Sequence, residues 1–362
     1  MKINLSKPHK ALRFPSGKEM KNRFMLAPLT NKQSHADGKL SDNEFNWLAM
    51  RARGQFGLIM TCASHVQAKG KTWEGQLGIF SDAQISGHQR LTNEIQNNGG
   101  LAVVQLFHGG MRAAREFIDE QPVSPSDNEE YESRALSLTE VHEIRDDFID
   151  AAQRAKKAGY DGVEVHGAFG YLVAQFLSIE FNQRNDAYGG TLKNRSRLLF
   201  EIVEGIREAC GDQFLVGVRL CPERYGMVLS EIKQLAKWLI ASDKIDFLDL
   251  ALWDVFKIPE EKTETEKKLL EHFLELDYKN VKLTVSGNIR GGKEVLQVLK
   301  SGVDFVTIGK SAILHHDFPI KVIENEYFIP SETPVSVNYL KNQGLSSNFI
   351  EMMKSWPEFV KD

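Results

Sequence analysis

Ala158-Gly159-Tyr160-Asp161-Gly162-Val163-Glu164-Val165-His166-Gly167-Ala168-Phe169-Gly170-Tyr171-Leu172 reads as helix end, strand and polar loop in immediate succession. Gly159 closes an amphipathic stretch where a residue at positive φ is needed, and glycine supplies that cheaply. The apolar run 162–166 has the near-continuous character of a parallel strand covered on both faces. Chemistry-bearing side chains follow the strand at once. The same succession extends in both directions, with strands expected at 23–27, 57–61, 101–106, 215–219, 247–251, 282–286 and 305–309. Helical periodicity lies between them at 42–55, 139–158, 197–210, 230–242 and 292–301. In the first, Phe45, Leu48 and Ala52 share one stripe.

Eight strands alternating with helices leave a closed barrel or a doubly wound open sheet. None of the 28 glycines is spaced Gly-x-Gly, so the dinucleotide fingerprint of the open sheet is missing. Polar residues recur at the C-terminal ends of many different strands, the arrangement a barrel uses for its site. The expectation is an α/β chain forming a single (β/α)8 TIM barrel over 1–362. Within it, 109–137 reads as a lid or hairpin over the mouth and 320–362 as a helical tail. The charge run 260–271 reads as a solvated helix face.

A content of 42% hydrophobic and 26% charged residues suits a globular chain with a large core. A net charge of −4 gives no sequence-wide attraction to nucleic acid or anionic membrane. The first residues lack an apolar stretch of signal-peptide type, and no run has membrane-helix length. Three scattered cysteines, Cys62, Cys210 and Cys221, fit a reducing cytoplasm and neither a disulfide framework nor an iron–sulfur centre. No metal-ligand cluster is expected.

The strand ends supply Pro28-Leu29-Thr30, Ala63, Gln105, His166, Arg219, Ser286-Gly287-Asn288 and Gly309-Lys310. Each alone has an ordinary reading, as a cap, a strand terminator or a satisfied core histidine. In a barrel they converge on one cavity. The seventh and eighth ends carry glycines, and loops there commonly hold phosphate, with Lys310 adding charge. After the fourth strand, an imidazole can polarise a carbonyl oxygen, and a phenol can donate a proton to a developing carbanion.

Together these stretches resemble the old yellow enzyme family of FMN oxidoreductases. Asn22 through Thr30 resembles its first strand; His166 through Leu172, then Gln175-Phe176-Leu177-Ser178, its fourth-strand motif. Asn182-x-Arg184-x-Asp186-x-Tyr188-Gly189-Gly190-x-Leu192-x-Asn194-Arg195 resembles the signature that follows. The likeness runs from about 22 to 320 and implies a tightly bound, non-covalent FMN, with NADH or NADPH as reductant. It implies that Pro28, Leu29, Thr30, Ala63 and Gln105 line the flavin, with Arg219 near its N1–O2 edge. Ser286, Gly287, Asn288, Gly309 and Lys310 would hold the phosphate end. His166 would serve both flavin and substrate oxygen, and Tyr171 would be the proton donor. The oxidant would be an electron-poor alkene or a related small molecule.

Two positions depart from that pattern. Phe169 stands where the family places a second donor to the substrate carbonyl, a loss on the order of 3 kcal/mol of transition-state stabilisation. Lys310 stands where the family has arginine, which turns a forked phosphate contact into a single-point one. Two other readings compete. A flavin-free phosphate-binding lyase would want a Schiff-base lysine or a metal at the strand ends, and neither is evident. A flavoprotein that only binds or senses is suggested by Phe169 and opposed by the presence of both His166 and Tyr171. The tail aromatics in 355–359 either reach a second copy in a homo-oligomer or pack on their own barrel.

Overall fold

The computed structural model describes residues 7–261 and 266–361. Eight parallel strands close into one barrel: β1 (Phe24–Leu26), β2 (Leu58–His65), β3 (Leu101–Phe107), β4 (Gly162–Gly167), β5 (Leu215–Leu220), β6 (Phe247–Ala251), β7 (Lys282–Ser286) and β8 (Phe305–Ile308). Neighbours follow chain order, and closure comes from β8 against β1, with Val306 opposite Phe24 and Ile308 opposite Leu26. Around them run α1 (Asp42–Arg53), α2 (Ile85–Asn97), α3 (Leu138–Lys157), α4 (Arg197–Cys210), α5 (Leu229–Ala241), α6 (Leu269–Leu274) and α7 (Gly292–Lys300). After β8 come α8 (Lys310–Leu314) and α9 (Phe318–Glu324). Every expected strand is present. β2 runs past its expected end to His65, with a register irregularity between Met60 and Ala63.

Helix α3 shows how the sequence builds these elements. The Ser137 hydroxyl accepts from the Glu140 N–H and the Glu140 carboxylate reaches back to Ser137, a capping box. Val141, Ile144, Phe148, Ala151, Ala152 and Ala155 follow at helical spacing and are all buried against the barrel. Full burial of one such side chain as Phe148 stabilises by about 1.5–3 kcal/mol. On α1 the buried stripe is Trp47, Leu48, Ala49 and Ala52, while Phe45 is half-buried beneath the Arg90 guanidinium. The charge run at 260–271 departs from expectation where it is described: helix starts only at Leu269, whose neighbours Leu270 and Phe273 are buried with it. Glu260 is tied to Arg224 and Lys257, and 262–265 lie outside the described residues.

The floor of the barrel is sealed by the N-terminal hairpin, Leu12–Arg13 against Glu19–Met20. Its Phe14 meets Phe247 and Phe305 at 6.0 and 5.8 Å between ring centroids. Gly217 makes room for this layer, because a Cβ there would lie 2.1 Å from the Phe247 ring. Three even-numbered strands are pinned by an aspartate immediately before them. Asp161, Asp246 and Asp304 each accept the backbone N–H of Ala102, Val216 and Leu283 respectively, all at 2.9 Å. Asp246 also accepts from Ser16 N–H and pairs with buried Arg207 at 2.8 Å.

At the opposite end, the stretch 109–137 contains a short helix, Arg115–Ile118, and paired strands Val123–Ser124 and Arg134–Ala135. Arg184 Nη1 donates to Pro125 O at 2.9 Å, and Ser126 Oγ accepts from Gln183 N–H. The polar segment after β4 thus works as internal scaffolding. The chain's last strand, Val360–Lys361, pairs with Val335–Ser336, and Phe349 and Phe359 are buried. Among the described residues no helix is long and apolar enough to cross a membrane.

Candidate active site

His166 leaves β4 opposite Arg219 of β5. Its Nδ1 accepts the Ala168 N–H at 3.2 Å, which assigns the ring proton to Nε2. Burial, with help from the cations of Arg219 and Arg112, holds its pKa well below the usual imidazole range. The side chain is therefore a neutral donor. Around it stand Tyr171 at 5.3 Å, Phe107 at 5.6 Å and Phe169 at 5.9 Å between ring centroids. Burial raises the Tyr171 pKa, while Arg112, stacked 4.4 Å from the ring centroid, pulls it back. Arg112 also donates to the Phe169 carbonyl at 2.6 Å.

A cavity of about 310 Å³ lies beside this aromatic box. Leu29, Arg219, Ser286, Gly287, Asn288, Gly309 and Lys310 line it, all named from sequence. Arg219 joins the two regions, since its guanidinium carbon also lies 5.5 Å from the Phe169 ring centroid. Pro28 and Thr30 follow β1 half-exposed beside Leu29. Ala63 and Gln105 are buried within β2 and β3 as Cα partners. Gln105 Nε2 donates to Glu164 at 2.7 Å, which leaves its second amide hydrogen and its amide oxygen for a ligand.

Several lining residues escaped the sequence reading: Trp253, Asp254, Arg290 and Trp356. Arg290 is the telling omission. Its Nε donates to Asn288 Oδ1 at 3.0 Å, and Asn288 Nδ2 donates to Asp254 at 3.0 Å, so Asn288 steadies the arginine. Burial and then Arg290 depress the Lys310 pKa, so the two cations serve one space. Lys310 Nζ meanwhile lies 3.3 Å from Thr333 Oγ1 and 5.1 Å from the Phe359 ring centroid. Gly287 is required by packing: a Cβ there would lie 2.7 Å from the Trp253 backbone. The signal available in sequence was an arginine three residues beyond a glycine turn in the seventh loop.

The sequence profile of the NADH:flavin oxidoreductase / NADH oxidase family matches residues 11–327. The chain belongs to that family. Among curated members, a probable NADH-dependent flavin oxidoreductase of Bacillus subtilis, YqiG, is 34% identical over 322 residues, 86% of either chain. An NADH:acrylate oxidoreductase of Vibrio harveyi is 30% identical over 86% of this chain, which spans only 33% of that protein. The solved structure of an old yellow enzyme homologue from Zymomonas mobilis superposes with a TM-score of 0.80 at 29% identity, covering 94% of this chain and 99% of that one. As a member of the NADH:flavin oxidoreductase family, the protein uses FMN with a reduced nicotinamide as donor. The cavity fits such a group. The cations of Lys310 and Arg290 share the cavity wall with Arg219, a buried guanidinium whose Nε has no hydrogen-bond partner.

Proposed function

We propose that this oxidoreductase reduces electron-poor alkenes, with FMN seated from the Arg290–Lys310 end across to Arg219 and the alkene held in the aromatic box. The observation that carries the reading is His166, a neutral imidazole whose Nε2–H is fixed by the Ala168 hydrogen bond, beside a buried phenol. FMN, when bound, supplies the two-electron carrier between nicotinamide and alkene. His166 would donate to the substrate's electron-withdrawing oxygen and so activate its β-carbon toward hydride. Tyr171 gives its proton to the α-carbon and recovers one from solvent. Pro28, Leu29, Thr30, Ala63 and Gln105 border the flavin, and Ser286, Gly287, Asn288 and Gly309 shape the phosphate end. The stretch 109–137 covers the site, a role supported by the reach of Arg112 onto Phe169 and Tyr171. Trp356 of the tail lines the proposed seat from the same chain.

A specific observation favours alkenes activated by a carboxylate over simple enones. Phe169 removes a neutral donor from the box, while Arg112 brings a cation to it. The names of two relatives, the Vibrio harveyi enzyme and an NADH:fumarate oxidoreductase of Klebsiella pneumoniae, point the same way.

Anaerobic absorption spectroscopy tests the reading. NADH or NADPH should bleach the flavin band, and acrylate should restore it faster than cyclohexenone. Tyr171→Phe should bleach normally and recover about 10²–10⁴-fold more slowly, the usual worth of a general acid. Recovery at the wild-type rate would remove Tyr171 from the mechanism.

A further inference from the structure

Inside the barrel, just below the proposed flavin seat, the strand register brings together charges that stability alone does not account for. Gln105 on β3 lies opposite Glu164 on β4, and Arg219 on β5 lies opposite both His166 and Asp249. Glu164 and Asp249 are fully buried and Arg219 is 5% exposed. Arg219 Nε stands 3.4 Å from Asp249 Oδ2, an ion pair without a hydrogen bond, while its Nη2 donates to Ser286 Oγ at 2.9 Å. Both Asp249 oxygens and Glu164 Oε2 have no hydrogen-bond partner. Two buried carboxylates therefore share the field of one guanidinium, Asp249 at 3.4 Å and Glu164 one strand away. Buried polar atoms left unpaired cost stability, and an ion pair of this kind seldom stabilises a fold. The cluster touches the proposed seat through Arg219, which lines the cavity.

We propose that Asp249 and Glu164 are positioning residues that meter the charge Arg219 shows to bound FMN and so set its midpoint potential, with Glu164 as the proton-accepting member. The inference rests on the proposed seat. Asp249 offsets the guanidinium and lowers the potential below what an uncompensated arginine would impose. Glu164 acts next to it and also orients the Gln105 amide through the 2.7 Å bond.

The charged groups acting on Glu164 are Asp249 on β6 and Arg219 on β5; Gln105 on β3 is neutral, and His166 on its own strand is held neutral. Burial first, then Asp249, pushes the Glu164 carboxyl up to about 8, with Arg219 and Gln105 opposing. Burial also raises Asp249, against Arg219. When hydride from the nicotinamide, one proton and two electrons, enters the site, the added negative charge favours protonation of Glu164. At and just above pH 8 the transfer therefore draws one further proton from solvent onto Glu164.

Spectroelectrochemical titration of the yellow holoenzyme between pH 6 and 10 tests this. Wild type should take up one proton per two electrons near pH 7, approach two in a window at and just above pH 8, and return toward one at higher pH. Glu164→Gln keeps an acceptor for Gln105 and should bind FMN yet lose that transition. Asp249→Asn should raise the potential at every pH by at least a tenfold change in the reduced-to-oxidised ratio, about 30 mV for a two-electron couple. Should Asp249→Asn fail to fold, proton uptake by wild type, followed with an indicator dye during anaerobic photoreduction, replaces it. A stoichiometry of one proton at all pH values, or a Glu164→Gln profile matching wild type, overturns the inference while leaving the flavin seat intact. A protein that binds no FMN overturns the seat and the inference with it.

Discussion

Phe169 combines two properties that a smaller polar residue would separate. Its backbone lies at φ 57°, a region bulky side chains rarely adopt, and its ring packs 5.6 Å from Trp253 where a donor would otherwise face the substrate. Phe169→Asn relaxes the first and restores the second. Cyclohexenone should then reoxidise the variant about 100-fold faster, the worth of one well-placed donor; no gain in stopped-flow traces would mean position 169 does not face the activating oxygen. A similar division holds for the two cations of the phosphate end. Lys310 is engaged with Thr333 and Phe359, whereas Arg290 is held by Asn288 alone. Arg290→Ala should weaken FMN binding to the apoprotein by about 10–100-fold, from hydrogen bonds to a charged group worth about 1.5–3 kcal/mol. Lys310→Ala should cost less, and the reverse order in a fluorescence titration would exchange their roles. The strand-end residues were legible because the barrel rule converts sequence position into spatial position. Arg290 was not, because it lies three residues beyond the Gly287 turn, past the strand end that the barrel rule singles out.

At the level of elements, the strands were readable because parallel strands covered on both faces write themselves as apolar runs. That same reading hid Glu164 and Asp249, which sit inside two such runs and whose partners come from other strands. The aspartates before β4, β6 and β8 have a sequence trace, an acidic residue immediately ahead of the run, yet their meaning appears only once the neighbouring strand's N–H is in place. Of these, Asp246 carries most, accepting from Val216 and Ser16 while paired with Arg207. Asp246→Ala leaves a buried guanidinium uncompensated, and urea unfolding should show a loss of about 3–5 kcal/mol. A loss below 1 kcal/mol would mean that Arg207 finds enough partners in the carbonyls of Lys244 and Phe214.

For the molecule as a whole, acid is the foreseeable weakness. Burial depresses His65 and His88 to about 4 and His108 to about 3, against 6.5 for an ordinary histidine. Between those values the unfolded chain binds more protons than the folded one, so stability is complete above pH 6.5 and declines as pH falls toward 4. Each histidine contributes a slope of up to about 1.4 kcal/mol per pH unit in that window. His88, held between Tyr160 OH and Gly78 O, is the cleanest probe. His88→Gln should flatten the fall in urea midpoint between pH 7 and 5, and an unchanged slope would assign it elsewhere. Trp356 belongs to this scale too: no local pattern ties a tail residue to a cavity whose other walls are strand ends, and only the folded chain carries it there. The walls of that cavity run from Ala27 to Trp356, and the barrel is shut only when β8 meets β1. If that cavity is the flavin seat, a nascent chain has no place to keep the cofactor until Trp356 has emerged from the ribosome and β8 has met β1. Loading on that seat would follow barrel closure, and a message truncated anywhere before the eighth strand should yield colourless protein.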